Sequence, residues 1–98
     1  VTRVDVARSL REYLVSLAGA IRKHPQIKLG LSPRGVLIWQ RVSQAWAWLK
    51  RRNFVTPDDI RQVALPVLEV RIGLGKEISE RVVREVIESI SVPVTREK

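Results

Sequence analysis

Four segments of this chain carry apolar residues at steps of three and four, and proline or glycine stands between consecutive segments. This spacing places the apolar side chains on one side of an α-helix, whereas a half-buried strand alternates apolar and polar residues. No long segment has the alternating pattern, and the chain contains no internal repeat. The pattern therefore predicts an all-α fold, a small four-helix bundle that occupies residues 1–98 as a single domain.

Start signals bound the first two helices. Helix one is predicted over residues 3–23, with Thr2 and Asp5 at the spacing of a capping box. Helix two is predicted over residues 33–52, because Ser32 can cap a helix and the proline that follows loses no hydrogen bond at the first helical position.

The second half of the chain holds the other two helices. Helix three is predicted to begin at Pro57 with Thr56 as its cap and acidic residues in its first turn. Pro66 has no amide hydrogen, so it must kink or split this helix. Gly73 and Gly75 are expected to end it, and Ser79 is expected to open the last helix.

Positive charge is concentrated in one part of the chain. The net charge is +8, and residues 13–57 hold eight lysines and arginines and no acidic residue. The rest of the chain holds ten residues of each sign, so the net charge arises in 13–57. This part of the domain projects a positive field toward nucleic acid, a nucleotide phosphate or an acidic protein, or it is only a solvated cationic face.

Composition excludes several kinds of chemistry. Without cysteine there is no disulfide or thiolate nucleophile, and one histidine does not make a zinc centre without many carboxylates. Asp58 and Asp59 are explained by helix capping, and His24 is expected to be a surface or capping residue. We expect no enzyme activity from this chain alone, no metal site, no membrane span and no signal peptide, and we interpret it as a piece of a longer cytoplasmic protein.

Arg34 is the residue that these helix rules leave unexplained. It lies in the first turn of helix two, where the positive end of the helix dipole disfavours a cation by a few tenths to about 1 kcal/mol. An anion placed there would meet both exposed amides and a planar guanidinium, a combination that binds phosphate well. The alternative is an arginine that points into water, and the physical argument alone leaves both open.

Trp48 has two interpretations. It lies near the side of helix two that carries Arg34 and Arg41, away from the stripe of the other two tryptophans. With Arg52 one turn further on, it could form a cation–π contact at an interdomain surface. Core packing under the final helix is the favoured interpretation.

Two segments resemble the helical lid of MoxR-type AAA+ ATPases. Residues 29–35 are similar to that family's second-sensor motif, Gly-Ala-Ser-Pro-Arg-Ala, and residues 54–60 are similar to its Tyr-Val-Thr-Pro-Asp-Asp-Val. Residues 21–25 are similar to its Arg-x-His-Pro turn, and the resemblance covers essentially the whole chain. The chain departs from the family pattern at Ile21 for Thr, Gly35 for Ala, Arg51 for Gly, and Val70 for the His that precedes Arg71.

The resemblance implies a lid subdomain that follows an α/β ATPase core. Arg34 would be its second-sensor arginine and would reach the terminal phosphate of ATP, with Gly30, Ser32 and Pro33 as motif residues. ATP and magnesium would be bound mainly by the core, which this chain lacks. Because the lid of this clade is displaced, Arg34 could act in its own subunit or in a neighbouring one.

The resemblance also implies partners. They are the ATPase core of the same polypeptide, neighbouring subunits of a ring, and a client or a von Willebrand A domain protein that is remodelled in a chaperone-like manner. Interdomain contacts are predicted at Arg41, Trp48, Arg52 and Arg71.

Two other functions remain as alternatives. The charged half and a pair of helices suggest a nucleic-acid-binding module, but helix two is apolar around most of its circumference and its basic residues cluster at its end. A plain protein-interaction bundle accounts for everything except the position of Arg34.

Overall fold

The computed structural model describes residues 4–25, 32–72 and 75–93, except the side chains of residues 70–72 and 76. Its helices are α1 (Arg8–Lys23), α2 (Pro33–Leu49), α3 (Pro57–Gln62), α4 (Ala64–Ile72) and α5 (Lys76–Ser89). Across these described ranges no strand forms, and one isolated parallel β-bridge joins Asp5 to Phe54. The predicted all-α bundle is confirmed. No helix in the described ranges is long and apolar enough to cross a membrane.

The predicted third helix is divided into α3 and α4. The break lies at Val63, three residues before Pro66, where the backbone has φ −95° and ψ 0°. Because Pro66 has no amide hydrogen for the carbonyl of Gln62, an unbroken helix would lose that bond. With the break at Val63, Pro66 falls in the first turn of α4, where a missing donor costs little. The predicted division is confirmed, and it lies about one turn earlier than the proline itself.

Helix α1 begins later than predicted. Its N-cap is Ala7, with no side-chain cap, and its first residue is Arg8. Asp5 is extended and exchanges two backbone hydrogen bonds of 2.9 Å with segment 53–55. The predicted capping box is therefore wrong at Asp5, because pairing with a distant segment holds this residue outside the helix; Thr2 lies outside the described residues.

Helix α2 ends at Leu49, three residues earlier than predicted. Arg51 adopts the left-handed conformation with φ 65°. Its amide donates to the carbonyl of Trp48 at 2.9 Å, and the amide of Arg52 donates to the carbonyl of Ala47 at 3.0 Å. These two bonds form a Schellman motif, a helix ending that usually has glycine at the left-handed position. An arginine there gives no local stop signal, which is why the predicted helix was too long.

Helix α5 begins earlier than predicted, since Gly75 is its N-cap and Lys76 its first residue. Ser79 does not open the helix: its amide donates to the carbonyl of Gly75 at 2.9 Å, and the residue is buried. Helical spacing places Ser79 on the buried face of α5 with Val82, Val83 and Val86. Gly73, predicted to end the third helix, lies outside the described residues.

The core is organised around α2, which packs against α1, α3 and α4, while α5 covers α1 and α4. Trp39 lies at its centre with no exposed surface, and its indole nitrogen donates to the carbonyl of Ile60 at 3.0 Å. The hydroxyl of Ser43 donates to the carbonyl of Trp39 at 2.9 Å. These bonds satisfy buried polar groups of α2, and the bond from Trp39 joins α2 to α3.

Candidate functional site

The first turn of α2 carries the residues predicted to bind a nucleotide. Ser32 is the N-cap: its Oγ accepts from the amide of Gly35 at 3.1 Å, and its carbonyl accepts from the amide of Val36 at 3.0 Å. Pro33 follows at the first helical position and has no amide hydrogen. In this first turn, the amide of Arg34 therefore has no acceptor among the described residues.

Arg34 is exposed, and its guanidinium has no hydrogen-bond or ion-pair partner within the part of the chain that the structure describes. The first turn of α2 contains no acidic residue that could offset the helix dipole. An anion at this position would accept hydrogen bonds from both the amide and the guanidinium. Gly30, the remaining motif residue, lies outside the described residues.

Arg41 and Trp48 follow Arg34 at seven-residue steps, and all three are exposed. Two turns bring an α-helix back to nearly the same side, so the three residues lie along one exposed face of α2. Trp48 is 52% exposed, so the favoured interpretation of core packing is wrong. At 1.5 Å per residue, Trp48 lies about 21 Å along the helix axis from Arg34. Interdomain contacts at Arg41 and Trp48 remain predictions.

Arg52 is bound within the domain. Its Nη1 and Nη2 donate to the two carboxylate oxygens of Asp59 at 2.6 and 2.7 Å, and the hydrogen bond to Asp59 raises the pKa of Arg52. The guanidinium lies 5.8 Å from the centroid of the Phe54 ring. The predicted cation–π pair with Trp48 is therefore wrong, because the aromatic partner is Phe54. An interdomain role for Arg52 stays a prediction.

Asp59 was assigned by the sequence to helix capping alone, and the structure gives it a second role. It forms a capping box with Thr56, the predicted cap: its Oδ2 accepts from the amide of Thr56 at 2.8 Å, and the Thr56 hydroxyl accepts from the amide of Asp59 at 3.2 Å. Burial raises the pKa of Asp59, but the hydrogen bonds from Arg52 and Thr56 outweigh burial and hold this pKa below its usual value. The charged carboxylate therefore joins the end of α2 to the start of α3. The sequence shows Arg52 just after α2 and Asp59 in the first turn of α3, but nothing in it pairs the two residues.

His24 connects two helices. Its backbone amide donates to the carbonyl of Ile21 at 3.1 Å and so caps the end of α1. Its Nε2 lies 2.7 Å from a carboxylate oxygen of Glu85 in α5, and its side chain is only 13% exposed. The predicted capping role is confirmed, and the contact with Glu85 fixes the end of α1 from which the chain continues toward α2.

The described residues offer little to a metal ion. No group of three or more His, Cys, Asp or Glu within them could hold one. Asp58 lies 3.6 Å from Arg61, as an exposed ion pair on one helix. The side chain of Arg71, the fourth residue predicted at an interdomain surface, is not among those described. What the site presents is a cation and an amide suited to phosphate.

The chain is similar to known proteins over most of its length. The family model of the AAA lid domain matches residues 19–91. The uncharacterized protein YeaC of Bacillus subtilis is 37% identical over 98% of this chain, and protein MoxR of Paracoccus denitrificans is 34% identical over 74% of it. The chain spans 32% of the length of YeaC and 25% of the length of MoxR, so each relative is at least about three times longer.

A solved structure has the same fold. The crystal structure of a putative ATPase from Cytophaga hutchinsonii matches 94% of this chain, and 32% of its own, with a TM-score of 0.76 and 21% identity. The family match contains the capped start of α2, with Arg34, and the capping box of α3. The chain therefore belongs to the AAA lid domain family and is a lid domain of the MoxR type.

Proposed function

We propose that Arg34 is the second-sensor arginine of an AAA+ ATPase and contacts a phosphate of ATP bound by the complete protein. The observation that carries this proposal is an exposed guanidinium in the first turn of α2, with no partner among the described residues. The dipole disfavours a cation there unless an anion binds. A guanidinium can donate two parallel hydrogen bonds to phosphate, and the nearby amide of Arg34 adds a third.

The residues of this chain fit one part of a nucleotide site. Bound ATP would supply the phosphoryl group that is transferred to water, and magnesium would neutralise negative charge on its phosphates. Arg34 would hold a phosphate oxygen, and Ser32 and Pro33 fix the start of the helix from which Arg34 projects. Magnesium ligands would come from the remainder of the ATPase, because the described residues form no such cluster. This chain alone should hydrolyse no ATP.

Movement at Arg34 would be carried by α2 as a rigid unit. The indole of Trp39 is bonded to the carbonyl of Ile60 in α3, and Arg52 fastens the far end of α2 to Asp59. A shift of α2 toward or away from a phosphate would therefore displace α3 with it. This is the coupling that a lid requires between nucleotide state and the position of the whole domain.

The parent protein would use this coupling as a cytoplasmic, ring-forming ATPase that remodels partner proteins in a chaperone-like manner. Its partners would be its own ATPase core, neighbouring subunits and a client or von Willebrand A domain protein. Support comes from membership of the AAA lid domain family and from the MoxR relatives. The nucleic-acid alternative has less support, because Asp59 already pairs with one of the clustered cations.

Steady-state ATPase measurements on the complete protein test the proposal. Arg34→Ala should reduce turnover roughly tenfold to a hundredfold, because a hydrogen bond to a charged group contributes about 1.5–3 kcal/mol. Arg34→Lys should restore only part of this loss, since an ammonium does not reproduce the planar pair of donors.

Arg84→Ala is the matched control, because Arg84 is an exposed arginine on α5, outside the residues predicted to contact nucleotide or another domain. It should leave turnover nearly unchanged. Thermal melts of all variants should show that each is folded. Undiminished turnover in Arg34→Ala, or equal losses in Arg34→Ala and Arg84→Ala, contradicts the sensor assignment.

A further inference from the structure

The end of α2 opposite Arg34 carries a cluster of exposed apolar side chains. Trp48 is 52% exposed, Leu49 is 68% exposed, and Phe54 in the following turn is 50% exposed. They line one open concavity of about 710 Å³ with Arg51, Arg52 and Asn53. We call Trp48, Leu49 and Phe54 the α2-end patch. Exposed apolar clusters of this kind mark surfaces that another body covers.

Packing within the domain does not account for the α2-end patch. The buried side of α2 is formed by Gly35, Trp39, Ser43 and Ala47. The turn between Leu49 and Phe54 is held in shape by the Schellman motif, with Arg51 in the left-handed region at φ 65°. A non-glycine residue is strained in that conformation, and such strain is concentrated at functional sites.

The chain enters the domain beside this patch. Asp5 forms a parallel bridge with Phe54, through bonds of 2.9 Å from its amide to the carbonyl of Asn53 and from the amide of Val55 to its carbonyl. The side-chain amide of Gln44 in α2 donates to the carbonyl of Val4 at 2.7 Å. These bonds hold residues 4 and 5, the first described residues, at the edge of the patch.

The size of the patch favours a tethered occupant over a free one. Three large side chains, each about half exposed or more, offer on the order of 300–400 Å². A stable dimer usually buries about 800 Å² per partner, so a second copy of this chain would gain too little here. A domain in the same polypeptide needs less area, because a short tether gives an effective concentration in the millimolar range.

We propose that the α2-end patch is the seat on which the preceding part of the same polypeptide packs, which under the proposed function is the ATPase core. The occupant presents an apolar surface to Trp48, Leu49 and Phe54 and carboxylates to the exposed Lys50 and Arg51. The seat lies about 21 Å along α2 from Arg34, so it is distinct from the phosphate contact. Helix α2 then connects the residue that contacts nucleotide to the surface on which the core packs.

Hydroxyl-radical footprinting of the complete protein without nucleotide tests this proposal. Mass spectrometry measures the oxidation of Trp48 and Phe54. Two residues of the same molecule are internal references: buried Trp39, and Val15 on α1, which is 64% exposed. The proposal predicts that Trp48 and Phe54 lose their reactivity to the level of buried Trp39, while Val15 stays reactive. Rapid oxidation of Trp48, as expected for a half-exposed side chain, overturns it.

The monomeric fraction, separated by size, identifies the occupant. Protection of Trp48 that persists in the monomer assigns the occupant to the same polypeptide. Protection found only in the oligomer assigns it to a neighbouring subunit and overturns the proposal.

Matched variants give a second measurement. Trp48→Glu in the complete protein should restore the reactivity of Phe54, whereas Val15→Glu, a charge at another exposed apolar position, should not. If Phe54 is equally protected in both variants, the patch is not the seat. Footprinting needs neither nucleotide nor turnover. The patch can therefore prove unprotected while Arg34→Ala still reduces turnover, and it can prove protected while Arg34→Ala has no effect on turnover.

Discussion

Replacing Asp59 with alanine should lower the unfolding free energy of the domain by about 3 kcal/mol. The substitution removes a bidentate contact to Arg52 at 2.6 and 2.7 Å and a cap on the amide of Thr56 at 2.8 Å. Breaking a buried ion pair costs about 3–5 kcal/mol, but Arg52 is 29% exposed, so water can solvate its charge and about 2 kcal/mol is expected. The lost cap adds about 1 kcal/mol.

The assay is equilibrium denaturant unfolding at neutral pH, completed as a double-mutant cycle. Arg52→Ala should cost at least as much as Asp59→Ala, because it leaves a carboxylate that is 1% exposed without its counter-ion. The double variant should cost less than the sum, with a coupling energy of about 1.5–3 kcal/mol.

Asp58→Ala is the control, since Asp58 is the adjacent acid, is 67% exposed and makes only a 3.6 Å ion pair. It should change stability by less than about 1 kcal/mol. Equal costs for Asp58→Ala and Asp59→Ala, or an additive cycle, refute the account of how α2 is joined to α3.

Three further predictions concern the same fold. Arg51→Gly should stabilise the domain by roughly 0.5–1 kcal/mol in thermal unfolding, because glycine relieves the left-handed strain and the greater entropy of the unfolded chain cancels only part of that gain. Arg51→Ala should not stabilise it. Tyr13→Phe should be neutral or slightly stabilising, because the Tyr13 hydroxyl is buried without a partner among the described residues and burial raises its pKa; a loss above about 1 kcal/mol contradicts this. The pKa of Asp59 is lower in the folded state than in the unfolded state, so its contribution to stability is present above the unfolded pKa of about 3.9 and is lost as pH falls through the folded pKa. Below about pH 4 the unfolding free energy should therefore depend less on pH in Asp59→Asn than in the unsubstituted chain. Equal slopes of unfolding free energy against pH contradict this.

Helix starts were predictable where the signal is local. Ser32 before Pro33 and Thr56 before Pro57 each give a cap, a proline and a helical φ within a few residues, and both starts are confirmed. The division before Pro66 was predictable for the same reason, because proline removes a specific bond from its own neighbourhood.

Boundaries that depend on distant or unusual contacts were not predictable. The start of α1 is set by the pairing of Asp5 with residues 53–55, nearly fifty positions away. The end of α2 depends on a left-handed arginine at position 51, where the usual signal is glycine. The exposure of Trp48 agrees with its position on the same face of α2 as Arg34. The tendency of large apolar residues to be buried favoured the wrong interpretation.

The candidate site was indicated by one conflict with a local rule and by the resemblance of residues 29–35 to a family motif. Arg34 opposes the helix dipole, and the structure leaves it exposed, with no partner among the described residues. Arg52 and Asp59 could not be paired in the same way, because their contact depends on how α2 and α3 are placed relative to each other.

The most direct test of the central claim is a structure of the complete protein with a non-hydrolysable ATP analogue. The account predicts a guanidinium nitrogen of Arg34 about 2.7–2.9 Å from a phosphate oxygen of the analogue, in its own subunit or in the neighbouring one. An occupied nucleotide site with the Arg34 guanidinium in solvent, or paired with a protein carboxylate, contradicts it.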